Sequence, residues 1–369
     1  MKQEHNIRFI NRTFGELEKG EQPSYKDSYG IMASLTPKMR ETVLHNPSGY
    51  SKEEICQILA LDGDVVVGTV NPFSGRLLMD NEVVKCQNAS YLYAHEDYRK
   101  DNVGGELFFQ LTTLNNPQNG YFAGISQMAI GLYRALKYTI FEYPRLIYLR
   151  KSRSAVQAIL HSKGLWTKPL IWVIDAFLRV HRLVIKAHNN TCYGKYKVEE
   201  VHKCPDEIEQ IVCQDKHPFM EFHDKAWFDW SLKYSISEDP RTIRRLYVIK
   251  KNSIIEAFFL IKQEFFNQAS SRGFKNVYLG SVMEWGIDSM SKLTEKDIAL
   301  LSLFRFDSNV DGVQYATSNM KTVQNLKRWF FVGVGFSNIG VRIRTIKDNR
   351  LKDINNWRIR LGGNDTVLN

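Results

Sequence analysis

SYLYAHEDYRKDNVGGEL, residues Ser90 to Leu107, combines a strand, a polar loop and the start of a helix. Its first residues are rich in Tyr and Leu, which is typical of a buried strand, and an amphipathic helix is predicted to begin at Glu106. The first backbone N–H groups of a helix have no partner inside the helix, and the helix dipole adds partial positive charge there. The stretch therefore predicts an anion-binding loop, and a diphosphate is the expected ligand.

The loop itself, Tyr98 to Gly104 (YRKDNVG), resembles the Arg/Gln-x-x-Gly-x-Gly/Ala pyrophosphate loop of the GNAT superfamily of acyl-CoA-dependent N-acetyltransferases. Asn102 stands where that family usually has its first glycine. Asn is the non-glycine residue that best tolerates positive φ, so the loop can still form.

A second segment, Ser126 to Tyr138, resembles the later helix of the same family, which usually has an Ala, then Leu-Tyr, then Gly-Phe. Ala129, Leu132 and Tyr133 match that pattern, and Lys137-Tyr138 stands in for Gly-Phe. Two family segments in the right order and separation are much more specific than either one alone.

The elements around these segments follow from hydrophobic periodicity. In the first half they are a strand at 7–10, a helix at 38–44, hairpins at 55–61/65–70 and 76–79/83–87, the strand at Ser90, and a short strand at 121–125. In the second half they are a helix at 207–213, strands at 246–249, 254–263 and 277–285, a helix at 295–304, a strand at 312–317 and a helix at 322–331. The second series repeats the first at low fidelity.

The resemblance implies an α/β (α+β) fold with two GNAT-like domains, each a mixed, mostly antiparallel sheet flanked by helices. We expect an N-terminal acyl-CoA-binding domain at 1–150, a basic helical linker at 151–195 and a degenerate C-terminal domain at 196–369. No Arg-x-x-Gly-x-Gly follows the strand at 277–285, which predicts one active site per chain. The tail at 356–365 resembles the closing strand of tandem members and is given no role.

The resemblance also implies site residues. The expected cofactor-binding residues are Leu92, Tyr93, Ala94, Arg99, Lys100, Asp101, Asn102, Val103, Gly104 and Gly105. Backbone donors of the loop would hold the diphosphate of acetyl-CoA or another acyl-CoA. Backbone groups of the Ser90 strand would pair with the pantetheine arm and polarise the thioester carbonyl.

Tyr133 is the candidate general acid, because a phenol can donate a proton to a departing thiolate; a buried core tyrosine is the alternative. His95 and Glu96 are the candidate bases, and turn or capping residues are the more common role for such side chains. A water relay without a single base is a further alternative.

The expected reaction is direct transfer of an acetyl or similar acyl group from acyl-CoA to an amine in a ternary complex, with no metal. The acceptor is a small molecule, such as an amino sugar, or a peptide amine. A non-catalytic acyl-CoA-binding or protein-interaction module is the alternative, and binding of CoA without turnover would favour it.

Composition also bears on whether the protein binds nucleic acid, contains disulfides or zinc, or is secreted. The net charge of +10 favours anionic partners, but basic residues are spread along the chain and no nucleic-acid-binding signature appears. Five cysteines without a C-x-x-C pair support neither a disulfide framework nor a zinc site, and a reducing, cytoplasmic location is expected. The N-terminus also lacks the features of a secretory signal.

The apolar stretch at 164–185 contains Lys168, Asp175, Arg179 and Arg182, which exclude a membrane span. A buried linker helix is favoured over a surface-lying basic amphipathic helix that contacts anionic lipid. The Trp227–Trp230 cluster (WFDW) is expected to form part of the core, with stacking on a sugar ring as the alternative.

Overall fold

The computed structural model of the chain describes residues 5–27, 33–114, 119–160, 167–237, 239–269 and 274–362. The strands are β1 (Ile7–Thr13), β2 (Ile55–Asp62), β3 (Val65–Met79), β4 (Glu82–Ala94), β5 (Asn119–Ala123), β6 (Thr139–Leu149), β7 (Lys197–Val201), β8 (Phe219–Glu221), β9 (Ile243–Lys251), β10 (Ile254–Ala269), β11 (Phe274–Ile287), β12 (Gly312–Ala316), β13 (Phe331–Ile343) and β14 (Trp357–Arg358). The helices are α1 (Phe14–Lys19), α2 (Pro37–Leu44), α3 (Val103–Thr113), α4 (Ile130–Ala135), α5 (Arg153–Leu160), α6 (Thr167–Tyr193), α7 (Asp206–Cys213), α8 (Lys225–Lys233), α9 (Glu295–Ser302) and α10 (Met320–Arg328).

All of these strands belong to one sheet, whose main path is β1-β2-β3-β4-β5-β13-β6-β12-β11-β10-β9-β7, with β8 and β14 attached to β3. Most neighbours are antiparallel; β4 with β5, β11 with β12, and β14 with β8 are parallel. Helices flank the sheet. The mixed, mostly antiparallel fold class predicted from the sequence is confirmed.

The meander of the first half differs from the prediction of two hairpins and a separate Ser90 strand. β3 and β4 are each one long strand, so that the expected strand at 76–79 is the end of β3 and the Ser90 strand is the end of β4. A proline such as Pro72 usually interrupts a strand, because it has no backbone N–H to donate. It is tolerated because β2 pairs with β3 only as far as Val70, so the missing N–H of Pro72 faces no strand on that side.

The two halves of the chain exchange strands. β6, from the N-terminal half, pairs with β12, and β13, from the C-terminal half, pairs with β5. β6 and β13 also pair with each other and join the two halves. Neither strand was predicted from the sequence, and each completes the sheet of the other half.

Helix α3 packs against β2, β3 and β4 and covers the core of the N-terminal half. Gly68 of β3 allows the close approach: an added Cβ would lie 2.9 Å from the Leu107 Cδ1 and 3.0 Å from the Val103 Cγ1. The absence of a side chain at this position therefore sets the distance between α3 and the sheet.

The long helix α6 lies on the surface, and the preferred interpretation of a buried linker is wrong. Only a narrow stripe of it, including Leu178, His181 and Ile185, is buried. Most of its other apolar side chains are exposed, because the described residues around it contact one side of the helix. No helix among the described residues has both the length and the apolar character needed to cross a membrane.

The aromatic cluster of α8 is confirmed as core. Trp227, Phe228 and Trp230 are buried, and the Phe228 ring meets Phe258 of β10 edge to face at 5.3 Å. A sugar-stacking role would require an exposed ring face, so this alternative is wrong.

Candidate active site

The loop before α3 has the geometry of an anion-binding helix start. A short 3-10 helix spans Glu96–Asp101, and Asn102 follows with φ 56° and ψ 25°, the left-handed conformation usually reserved for glycine. The Asn102 side chain does not cap α3. The first helical bond runs from the Glu106 N–H to the Asn102 carbonyl at 3.0 Å. The N–H groups of residues 103–105 precede that bond and point out of the helix end.

Gly104 gives the helix end its open face. The nearest heavy atom to an added Cβ there would be the Ala94 Cβ, at 3.7 Å. Gly105 differs, because its Cβ position is covered by the Asn102 side-chain oxygen at 2.2 Å. Arg99 and Lys100 are exposed beside the loop and add positive charge near its mouth.

Tyr98 anchors the loop to the sheet. Its hydroxyl donates to the Asp62 Oδ2 at 3.0 Å, and the His5 Nδ1 lies 2.9 Å from the same oxygen. Hydrogen bonding from His5, followed by that from Tyr98, lowers the pKa of Asp62, so the acceptor remains a carboxylate at neutral pH. The loop is therefore fixed to the sheet at its first residue, while the residues at 99–102 stay exposed.

A cleft opens in the sheet next to this loop. β4 and β5 form a single parallel pair, Gln87 with Gly120. Beyond it β4 stays paired with β3 and β5 with β13, but β4 and β5 are not paired with each other. The cleft is this unpaired gap, which lies along β4 towards Ala94 and the start of α3. The loop thus stands at the open end of the cleft.

A β-bulge interrupts β4 inside the cleft. Thr69 pairs with Tyr93 and Asn71 with Ser90, so two residues of β4, Tyr91 and Leu92, face one residue of β3. Tyr91 has φ 54°, which is rare for an aromatic residue. Bulges redirect backbone groups and are frequent next to active sites. No sequence signal marked this one, since Tyr is not a typical residue for positive φ.

Tyr133 packs on the α3 side of the cleft. Its ring centroid lies 4.1 Å from Phe108 of α3 and 5.6 Å from Phe122 of β5, and the residue is buried. Lys137, four residues on, has φ 64°, which is the conformation expected of the residue that replaces the family's glycine. Tyr133 therefore contacts elements on both sides of the cleft, and its role as general acid stays a prediction.

His95 and Glu96 lie at the loop end of the cleft. The His95 backbone N–H donates to the Val67 carbonyl at 2.9 Å, and its Nδ1 accepts from the Asp97 N–H at 3.4 Å, so that His95 caps the 3-10 helix. Glu96 is exposed. Both residues follow Ala94, beyond the bulge, and their role as bases stays a prediction.

A mostly apolar pocket lies beside the bulge. The space inside it is the size of about one water molecule. Its lining comes from α2 and the segment before it, β2, β3, β4 and the segment after α8. The lining residues are Leu35, Met39, Val43, Cys56, Asn71, Pro72, Phe73, Ser90, Tyr91 and Ile236. Sequence reasoning missed this pocket, because its walls come from segments about 200 residues apart.

A buried polar network also reaches the cleft. Asn88, the first residue of β4 beyond the β5 pair, donates from its Nδ2 to the Glu221 Oε1 at 3.2 Å. The His223 Nδ1 lies 2.6 Å from the Glu284 Oε2, and Arg360 forms an ion pair with Glu284. These side chains are almost fully buried. The C-terminal tail, which had no predicted role, thus neutralises a buried carboxylate.

The corresponding helix start of the second half is more acidic. β11 and β12 repeat the parallel pair, and β11 carries its own bulge against β10. At the start of α9, however, the Asp297 Oδ2 accepts from the Thr294 N–H and hydroxyl, both at 2.8 Å. Glu295 adds a second acidic residue to that turn. An anion would meet the negative charge of two carboxylates there, whereas the first turn of α3 has one acidic residue, Glu106. One site per chain stays a prediction.

Other features bear on possible ligands. Among residues that the structure describes, no group of three or more His, Cys, Asp or Glu side chains could hold a metal ion. The cysteines are all free; Cys56, Cys86 and Cys204 are buried, and Cys192 and Cys213 are exposed.

Comparison with solved structures identifies the fold. A Saccharomyces cerevisiae N-myristoyltransferase structure with bound myristoyl-CoA and inhibitors has a TM-score of 0.58 and 12% identity, covering 92% of this chain and 81% of that chain. Another structure of that enzyme, with bound myristoyl-CoA, has a TM-score of 0.55 and 11% identity, covering 92% and 83%. The chain has the two-domain GNAT fold.

A weaker GNAT likeness, with a TM-score of 0.48 and 11% identity, is to a GCN5-related N-acetyltransferase from Anabaena variabilis; it covers 92% of this chain and 72% of that one. It adds nothing to the assignment. No protein-family model and no curated protein matches the sequence. The resemblance first seen in Ser90–Leu107 is thus confirmed for the fold of the chain.

Proposed function

We propose that the chain is an acyl-CoA-dependent N-acyltransferase with one active site, in the cleft between β4 and β5. The observation that carries the proposal is the order of features along β4: Ser90 and Tyr91 line a pocket, a β-bulge follows at Tyr91 and Leu92, and the start of α3, without a side-chain cap, comes after its carboxyl end. The second half provides an internal contrast, because the first turn of its α9 contains two carboxylates, Glu295 and Asp297.

In the proposed complex, the N–H groups of residues 103–105 bind the diphosphate of the coenzyme. Arg99 and Lys100 supply long-range attraction for its negative charge. The pantetheine arm follows β4 past Ala94, Tyr93 and Leu92, whose edge has lost its β5 partner. This path leads the thioester away from the diphosphate loop and towards the bulge.

The bulge is the proposed place of reaction. Its redirected backbone N–H groups would stabilise the oxyanion that forms when the amine nitrogen attacks the thioester carbonyl. As the C–S bond breaks, Tyr133 would give its proton to the thiolate, and the nitrogen would lose a proton to a base or a water relay. The roles of His95 and Glu96 as that base are less well supported, since both lie at the diphosphate end.

The pocket beside the bulge is the proposed entry of the acceptor site, and its walls would move apart to admit the acceptor, because the space inside is the size of about one water molecule. Its aliphatic and aromatic lining, with Asn71 and Ser90 as polar groups, suits an amine attached to an apolar portion. An amino-sugar or other polar acceptor fits this lining less well than a peptide or apolar amine. The acyl group is acetyl or a longer chain, and the myristoyl-CoA bound in the similar N-myristoyltransferase structures makes long chains worth testing.

The test is thiol release from acyl-CoA esters of increasing chain length, measured with a thiol reagent against a panel of amines and peptides. Calorimetric titration of the same esters reports binding separately. Turnover with one acyl length and one acceptor class supports the proposal. Tight binding without thiol release by any acceptor would favour the alternative, a non-catalytic acyl-CoA-binding module.

A further inference from the structure

Helix α6 presents a wide apolar face to solvent. Seven large apolar side chains of this helix are exposed: Leu170, Trp172, Val173, Phe177, Val180, Leu183 and Val184. At 3.6 residues per turn they cover one continuous arc of nearly half the helix. Trp172 is 73% exposed and Leu183 66%. Monomeric proteins rarely leave so large an apolar area uncovered.

A row of basic residues borders this arc. Lys168, Arg179 and Lys186 fall within about 20° of one another on the helical projection and are exposed. Asp175 lies on the same side but accepts a hydrogen bond from the Ser152 N–H at 2.7 Å, so its charge is engaged by the protein. The border of the apolar face is therefore positively charged.

The opposite side of α6 is fixed to the protein. The His181 Nδ1 lies 3.1 Å from the Tyr148 hydroxyl of β6, and the Asn189 Nδ2 donates to the Leu300 carbonyl at 3.1 Å. Leu178 and Ile185 are buried on that side. These contacts prevent the helix from rotating its apolar face inward.

The apolar area continues onto β13. The Phe330 ring meets Phe177 edge to face at 5.2 Å, and Val332 and Phe336 of β13 are also exposed. The exposed residues at 327 and 328, a lysine and an arginine, come just before Phe330. Basic residues therefore also lie next to the part of the apolar area that includes Phe330. The α6 surface is defined as the seven exposed apolar residues of α6 together with Phe330, Val332 and Phe336.

We propose that the α6 surface docks onto an anionic lipid bilayer, with α6 lying in the plane of the interface. The basic row would contact lipid headgroups while the apolar arc enters the region below them. The charge of the basic row favours a bilayer over a second copy of the chain as the partner of this surface. Two α6 surfaces face to face would bring basic rows into one interface, whereas a bilayer rich in acidic lipid neutralises them.

Sedimentation with vesicles tests the proposal and needs no acyl-CoA, so its outcome is independent of the proposed function. We expect binding to vesicles of phosphatidylcholine with 30% phosphatidylglycerol, weakening as salt rises, and much weaker binding to phosphatidylcholine alone. Each basic residue removed should weaken binding about fivefold. Reversing Lys168, Arg179 and Lys186 to Glu together also adds repulsion and should weaken it by more than about 100-fold.

A matched control reverses Lys19, Lys347 and Lys352, which are exposed elsewhere, and makes the same change in net charge. This variant should keep most of the binding. Equal losses in the two triple variants would mean that net charge acts alone and would overturn the proposal, as would failure of the wild type to bind anionic vesicles.

The depth of Trp172 in the bilayer is measured by the quenching of its fluorescence with brominated lipid. The difference between the wild type and Trp172→Phe isolates one of the seven tryptophans, and Trp172 should be quenched on binding. Analytical ultracentrifugation completes the test. A dimer that Trp172→Ser dissociates, combined with unquenched Trp172, would assign the α6 surface to a second copy and overturn the lipid proposal.

Discussion

A glutamate at Gly104 should stabilise the fold and abolish binding of acyl-CoA. Gly104 lies in the first turn of α3, where the proposed site binds the diphosphate. The substitution changes folding and binding in opposite directions, which separates it from variants that lose function by unfolding.

The effect on stability follows from the space around Gly104. An added Cβ would lie 3.7 Å from the Ala94 Cβ, an ordinary contact. Replacing glycine inside a helix gains up to about 1 kcal/mol, and an acidic side chain in the first turn adds about 0.3–1 kcal/mol through the helix dipole. The free energy of unfolding should therefore rise by about 1 kcal/mol.

The effect on binding follows from charge. At roughly 5 Å and an effective dielectric constant of about 20, each pair of like unit charges repels by about 3 kcal/mol. The diphosphate carries more than one negative charge, so the dissociation constant should increase more than about 100-fold.

Two measurements check this prediction: calorimetric titration of acyl-CoA and urea unfolding. Gly104→Gln has nearly the size of glutamate without its charge and should lose less binding, and Gly104→Ala tests the Cβ alone. Gly333→Glu places the same charge at an exposed, open position of β13 and should bind normally. Wild-type affinity in Gly104→Glu would show that the diphosphate does not bind at α3. Equal losses for Gln and Glu would show that repulsion is not the cause.

Three further predictions concern the supports of the site. Gly68→Ala should lower the free energy of unfolding by about 1–3 kcal/mol, because its Cβ would press on Leu107 and Val103 of α3; urea unfolding measures this, and an unchanged midpoint would contradict the packing argument. Asn102→Ala should cost about 1 kcal/mol, since alanine is strained at φ 56°, whereas Asn102→Gly should not; equal stability of the two variants would contradict a left-handed Asn102. Burial lowers the pKa of His181, so the unfolded chain takes up this proton first as the pH falls below about 6.5, and stability is lost on acidification. Urea unfolding at pH 7 and pH 5 should show a smaller loss in His181→Gln, and an equal loss would exclude a contribution from His181.

Local signals in the sequence predicted much of the first half. The β2–β3 turn at 62–64, helix α2 and the strand-loop-helix order from Ser90 to Leu107 follow from short-range pattern and turn chemistry. The positive φ of Asn102 follows from side-chain chemistry and is observed. These features depend on residues close together in the chain.

Features that depend on distant residues were not predicted. The pairing of β5 with β13 joins residues more than 200 positions apart, and hydrophobic periodicity does not identify partners. The bulge at Tyr91 could not be predicted from the sequence, because tyrosine rarely adopts a positive φ. The exposure of α6 was misjudged since an apolar composition alone does not show whether a second element covers the helix.

The exchange of strands gives a physical reason for keeping a second half that has no site of its own. β13 is the strand that pairs with β5 on the side away from β4. Asn338 of β13 forms two hydrogen bonds with Ile125: its Nδ2 donates to the Ile125 carbonyl at 3.2 Å, and its backbone carbonyl accepts from the Ile125 N–H at 3.2 Å. Gly340 of β13 faces Tyr133 so closely that an added Cβ would lie 2.9 Å from its ring. One wall of the cleft and the seat of the candidate acid therefore come from the C-terminal half. A chain cut after β6 would leave β5 without β13 and lose the strand pairing on which the proposed site depends.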